Sequence, residues 1–199
     1  MATNVGFNVR STSVQVRRLE SGNINYGYIT SLMDWLNRRI SLSRGIRDAI
    51  QENILEIITN SHDHSGCDFG CYVCAQTYYN RREIEVSIMD FGVGIPSNLI
   101  PIYSHLQDDA EAVKYSLVEG VSSRTGKGAK GTGLNVLSQF ISLNNGSMRI
   151  LSSRGDYHLS GSDENIELMT LGFPGTCICL NINIDDKYYF FSDETEDLF

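Results

Sequence analysis

The chain has 199 residues, 41% hydrophobic and 20% charged, the balance of a globular protein able to bury a real core. A net charge of −8 argues against a nucleic-acid surface, which needs clustered Lys and Arg. No apolar run nears the ~20 residues of a membrane helix and none has the form of a signal peptide. The five cysteines are an odd number, and Cys177 and Cys179 alternate in one apparent strand, which favours reduced thiols and a cytoplasmic setting over a disulfide framework.

In chain order, the alternation from Ser13 to Arg17 gives a short strand signal, and Ile29, Leu32, Trp35 and Leu36 have helical spacing over residues 28–39. Ser43 can cap a helix running to about His62. Ile46, Ile50, Ile54, Ile57 and Ile58 form its apolar stripe, with Glu52, Glu56 and Asn60 on the other side. Strands over 72–77 and 83–89 flank the polar turn Asn80-Arg81-Arg82 and predict a hairpin. A helix is expected near 109–119, then a polar, glycine-rich stretch to Gly131, then a helix over 133–143. Strands near 147–152, 166–172 and 176–184 complete one α/β domain. The segment 192–199 carries four acids in eight residues and is expected to be solvated.

Two blocks carry chemistry. Asp90 closes a strand and is followed by Gly92 and Gly94. A carboxylate there can accept a hydrogen bond from the exocyclic amine of adenine, where guanine offers a carbonyl, and glycine lets backbone pass under a flat base. Asp and Gly also make ordinary turns in this setting. The second block runs from Gly128 to Leu134. Gly131 and Gly133 around Thr132, ahead of an apolar helix, provide unblocked amides for phosphate, with Arg124, Lys127 and Lys130 as nearby cations. Glu56 and Asn60, four residues apart, project from one helical face. The Asn60 carbonyl can bind Mg²⁺, and Glu56 can deprotonate an attacking water or hydroxyl.

These motifs, in order, resemble a known superfamily. Glu56-Ile-Ile-Thr-Asn60, Asp90-Phe-Gly92-Val-Gly94-Ile95, Gly131-Thr132-Gly133-Leu134 and Pro174-Gly175-Thr176 look like the N, G1, G2 and G3 boxes of the GHKL ATPases, which include gyrase, heat-shock chaperones, histidine kinases and MutL. The resemblance covers about residues 45–185. It implies a Bergerat fold: a two-layer α/β sandwich with a mixed sheet covered on one face by helices, and ATP held between sheet and lid. It assigns Glu56 as general base and Asn60 as Mg²⁺ ligand. Asp90 would bind adenine N6 with Gly94 beneath the ring, Gly92 and Ile95 completing that turn and Thr176 in the adjoining polar network. Lys130, Gly131, Thr132, Gly133 and Leu134 would line the phosphates.

The expected organisation is an N-terminal extension over 1–42, an ATP-binding domain over 43–190 with a lid at about 97–130, and an acidic tail over 191–199. Sensor histidine kinases carry a phosphoacceptor His on a helical hairpin before this module, whereas the first histidine in this sequence is His62. The module resembles the anti-sigma-factor serine kinases, which implies a protein partner, STAS-like or otherwise regulatory, and allows a homodimer. The activity implied is ATP hydrolysis or phosphoryl transfer to a protein. The alternative is a catalytically silent switch that binds or releases its partner through lid closure.

Other signals are weaker. Cys67-x3-Cys71-x2-Cys74 has the letters of a radical-SAM motif, without the repeating βα pattern, and zinc with His62 or His64 is conceivable; buried thiols are the simpler reading. Asp90-Phe91-Gly92 lacks the partner motifs of eukaryotic-type kinases. Gly126-x-Gly128-x-x-Gly131 follows a polar segment where a dinucleotide fold needs a strand, and no Walker lysine precedes Thr132. His105 and His158 have no evident chemical partners.

Overall fold

In the computed structural model, residues 11–20, 25–64, 69–121 and 133–191 are described. Five strands form an antiparallel sheet in the order β1 (Ser13–Leu19), β3 (Cys71–Tyr78), β4 (Glu83–Asp90), β6 (Asp163–Asn183), β5 (Ser147–Ser160). A separate parallel pair joins β2 (Ser41–Leu42) to β7 (Tyr188–Tyr189). The helices are α1 (Tyr26–Asn37), α2 (Arg44–His64), α3 (Gly94–Leu99), α4 (Asp109–Tyr115) and α5 (Gly133–Leu143). This is the expected two-layer α/β sandwich, with its parallel component confined to the β2–β7 pair.

Strand alternation sets the layers. Val73, Val86, Ile88, Ile178, Leu180 and Ile182 point to one face and join the stripe of α2 (Ile46, Ile50, Ile54, Ile58) and Leu137 and Ile141 of α5 in a single core. Ile57 lies at the margin of that core. The Ser43 hydroxyl accepts the Ile46 N–H at 3.2 Å, so α2 starts at the expected cap.

Residues 11–42 join this core. The register places β1 against β3, and Trp35, Ile29 and Met33 of α1 are fully buried. Asn25 caps α1, accepting the Tyr28 N–H at 3.0 Å. The chain is also tied across the sheet end by Asn144, 1% exposed: its side chain donates to the Asn183 carbonyl and the Tyr189 hydroxyl, both at 3.0 Å, and accepts the Asn183 N–H at 2.6 Å.

Three boundaries differ from the sequence expectation. Helix α4 ends at Tyr115 rather than near 119, because the Ser116 hydroxyl bonds the Val113 carbonyl and the chain turns through Gly120 at φ +81°. Strand β5 continues from 152 to 160, and β6 runs from 163 through Gly175 to 183 without a break. The two pair as a hairpin from Ser147 and Asn181 to Ser160 and Asp163, with register shifts that set Ser152–Gly155 against Leu168–Thr176. Gly172-Phe173-Pro174-Gly175, between the two strands expected from the sequence, lies within that irregularity.

Candidate functional site

The site is built where β4 leaves the sheet. Asp90 is the last residue of β4, paired with Thr176 of β6, which is paired in turn with Ser152 of β5. All three stand on the helix-covered face. Asp90 is 8% exposed, and its Oδ1 accepts the Gly92 N–H at 2.8 Å, closing a tight turn. Burial raises the Asp90 pKa above the ordinary carboxylate range, while the N–H groups of Gly92 and Thr176 pull it back.

Ser152, fully buried, locks this turn to the sheet. Its hydroxyl accepts the Ile95 N–H at 2.8 Å, donates to the Gly175 carbonyl at 3.0 Å and lies 3.0 Å from the Thr176 hydroxyl. A serine hydroxyl has one donor and two acceptor positions. With its own hydrogen on Gly175, Ser152 takes the Thr176 hydrogen, and Thr176 is left with acceptor lone pairs. Asp90 and Thr176 together then present acceptors only.

Two glycines make the approach possible. At Gly94 (φ +82°), an added Cβ would lie 2.8 Å from Ser152 Oγ and 2.9 Å from Ser153 Oγ. At Gly175 (φ +102°), it would overlap the Asp90 carbonyl oxygen and stand 2.7 Å from the Gly92 nitrogen. Beside the turn, Phe91 stacks on Phe173 at 6.2 Å and meets the Tyr72 ring edge-on at 5.9 Å.

The other expected residues divide as follows. Glu56 and Asn60 lie on the outward side of α2, Glu56 half-buried and Asn60 exposed, neither bonded to a side chain or backbone group among the described residues. Leu134, in the first turn of α5, packs at the edge of the main core, and α2 and α5 pack on each other. Gly133 begins α5. Lys130, Gly131 and Thr132 lie outside the described residues, as do Cys67 and the acidic segment 192–199. Of the expected lid, residues 97–121 are described. They carry a second, smaller apolar cluster of Leu99, Leu106 and Ala112 with Tyr103 and Tyr115 against it, while Val113 and Leu117 belong to the main core and Ile95 packs against both.

The cysteine motif does not assemble around one point. Cys71 and Cys74 sit on opposite faces of β3, Cys71 in the core with its thiol pushed up to about 12 by burial. His62 Nε2 is 3.1 Å from the Leu19 carbonyl oxygen, holding α2 to β1. His105 is exposed and meets Tyr103 and Tyr115 edge-on, and His158 is exposed on β5.

Sequence reasoning did not single out Ser152. Its signal was present: Met148, Ile150 and Ser152 occupy successive inward positions of one strand, and a polar residue at the third needs a buried partner.

A buried carboxylate and an acceptor hydroxyl suit the exocyclic amine of an adenine nucleotide, Gly94 and Gly175 let the turn and strands close tightly around them, and Asn60, exposed on α2, carries an amide oxygen of the kind a hard cation takes. No helix among the described residues is long and apolar enough to cross a membrane. Comparison with curated proteins finds no match. The family model described as "Histidine kinase-, DNA gyrase B-, and HSP90-like ATPase" matches residues 45–183, from the start of α2 to the end of β6. The chain therefore belongs to that ATPase family and is an ATP-binding module of the GHKL type.

Proposed function

We propose that the protein binds Mg²⁺-ATP with adenine against Asp90 and Thr176, and that it hydrolyses the nucleotide or transfers its phosphoryl group to a protein hydroxyl. One observation carries this reading: the buried Asp90–Thr176–Ser152 row, whose internal hydrogen bonds leave acceptors at Asp90 and Thr176 beside Gly94 and Gly175. That arrangement selects a purine bearing an amine at the six position and disfavours one bearing a carbonyl.

Asn60 would hold the Mg²⁺, whose charge would offset that of the phosphates. Glu56, one helical turn before Asn60, takes the proton of the attacking water or hydroxyl, a role typically worth ~10²–10⁴ in rate. Lys130, Gly131 and Thr132, ahead of α5, supply a cation and backbone amides for the phosphates. The resemblance to anti-sigma-factor serine kinases supports a STAS-like regulatory protein as partner, in a cytoplasmic setting.

A second reading has its own support. The apolar cluster of Leu99, Leu106 and Ala112 makes the stretch from 99 to 112 a small packed body, which Val113 and Leu117 join to the main core. ATP would then set the position of that body and so recruit or release a partner without productive chemistry.

Phosphate release from Mg²⁺-ATP by wild type and Glu56→Gln, beside a binding titration, tests both. Release that vanishes in the variant supports the enzyme. Binding without release, with or without a protein acceptor, supports the switch. No binding to the wild type overturns both readings.

A further inference from the structure

The sheet face opposite the helices carries a pair of thiols that the nucleotide site does not use. Cys177 and Cys179 are successive residues on that side of β6, with their sulfurs 3.7 Å apart and both thiols free. Cys177 is 8% exposed and Cys179 is half-buried. The Ser87 hydroxyl, across from Cys179 on β4, donates to its sulfur at 3.5 Å, and Arg149 of β5 is its register partner on the other side. Cys74 shares this face but pairs with Ser87, two strand spacings or about 9.6 Å from Cys179, and stands outside the pair.

The Ser87 hydroxyl and the Arg149 cation favour a thiolate at Cys179, against the opposing effects of burial and Glu85, whereas the register partners of Cys177 are the apolar Met89 and Leu151. The pair thus consists of one nucleophilic sulfur and one resolving thiol. Its position adds a consequence. Cys177 follows Thr176 directly, and β6 is the strand between β4 and β5 that holds Asp90, Thr176 and Ser152 in one row.

We propose that Cys177 and Cys179 form a peroxide-sensitive dithiol, and that its oxidation to an intrastrand disulfide weakens nucleotide binding at the adjoining Asp90–Thr176 row. The affinity half of this proposal rests on the ATP site argued above. In the first step the Cys179 thiolate attacks a peroxide oxygen. The O–O bond breaks, an S–O bond forms, and the departing hydroxide or alkoxide takes a proton to leave as water or an alcohol. In the second step the Cys177 sulfur attacks the sulfenic acid. The S–S bond forms, the S–O bond breaks, and the hydroxyl leaves with the Cys177 proton as water. Two thiols lose two electrons, and the peroxide gains them.

The coupling is mechanical. Two residues of strand set both Cα and Cβ atoms about 6.6 Å apart, inside the Cα range of a disulfide but well beyond its Cβ separation of about 3.5–4.5 Å. Closing the bond therefore buckles β6 so that the two Cβ atoms approach by about 2–3 Å immediately beside Thr176. The acceptor pair loses its spacing, because β4 and β5 are not buckled with it.

The test treats fully reduced, full-length protein with hydrogen peroxide and alkylates the remaining thiols. Peptide mass mapping then locates any link, and ATP is titrated before oxidation, after it and after re-reduction. Expected are a Cys177–Cys179 link, a loss of ATP affinity of about tenfold or more and its recovery with dithiothreitol. Both Cys177→Ser and Cys179→Ser are expected to form no link and to keep their affinity through the same treatment. Failure to form the link overturns the proposal, as does a mapped link with unchanged affinity. Reduced protein that does not bind ATP overturns the nucleotide reading and the affinity half with it, while the mapped link is still decided by mass alone.

Discussion

The Ser152 hydroxyl is 3.0 Å from that of Thr176 while it also holds the Ile95 N–H and the Gly175 carbonyl. One buried atom thus fixes the turn after β4, the bulge in β6 and the direction of the Thr176 hydrogen. Ser152→Ala leaves the Ile95 N–H and the Gly175 carbonyl without this partner, at a cost of about 1–3 kcal/mol for each group that stays unsatisfied. It also frees the Thr176 hydroxyl to donate. The expected result is a destabilised fold by urea unfolding together with a reduced preference for ATP over GTP in binding titrations. Destabilisation with the preference intact would leave Ser152 a structural residue only.

Asp90→Asn removes the charge from the acceptor. Losing a charge-assisted hydrogen bond of ~1.5–3 kcal/mol weakens ATP binding roughly ten- to hundredfold, which calorimetry reads directly. The same variant reports the buried charge. Because the folded pKa of Asp90 is raised, its contribution is fully present below the ordinary carboxylate value of 3.8 and is lost as pH climbs through the raised one. The stability of Asp90→Asn relative to wild type should therefore grow as pH rises from about 4 and level off above the raised pKa. A difference independent of pH would mean the carboxylate titrates normally.

Much of this could be read without coordinates. The isoleucine stripe of α2 is strongly periodic and its cap is a serine, so both its extent and the side bearing Glu56 and Asn60 were legible. Asp90, Gly92 and Gly94 were legible because they form a strand end and its turn, and Thr176 only through the resemblance of Pro174-Gly175-Thr176 to a family motif. What local pattern could not give was the long β5–β6 hairpin, whose outer half on β6 is exposed at most positions, Ile166, Leu168 and Leu171 included, and is held by pairing rather than by burial of one face. Nor could it give Ser152, whose importance lies in contacts with residues 57 and 24 positions away. The place of β1 in the main sheet is likewise set by its register against β3.

The two glycines at 120 and 175 separate backbone strain from close approach. Both have φ in the left-handed region, but nothing lies within 4 Å of a Cβ added at Gly120, whereas one at Gly175 runs into Asp90 and Gly92. Gly120→Ala should cost about 1–2 kcal/mol through φ alone and leave ATP binding unchanged. Gly175→Ala should cost more and push β4 from β6 at the acceptor pair, so that unfolding and ATP titration both respond. Equal effects of the two substitutions would show that the crowding at Gly175 is relieved by small shifts.

Asn144→Ala provides the opposite case, a polar network remote from the nucleotide residues. Its amide satisfies the Asn183 N–H and carbonyl, and bonds the Tyr189 hydroxyl, which itself donates to Asp185 at 2.7 Å. The side chain is 1% exposed, so water cannot readily replace it, and the loss should be on the order of 2–4 kcal/mol in urea unfolding. The loss acts where β7 joins β2 and where α5 meets β5, away from Asp90 and Thr176. ATP affinity measured well below the unfolding midpoint should therefore stay at the wild-type value. A parallel fall in affinity would show that the end of α5 and the acceptor row respond as one unit, with α5 as the connecting element between Asn144 and Gly133 at its first turn.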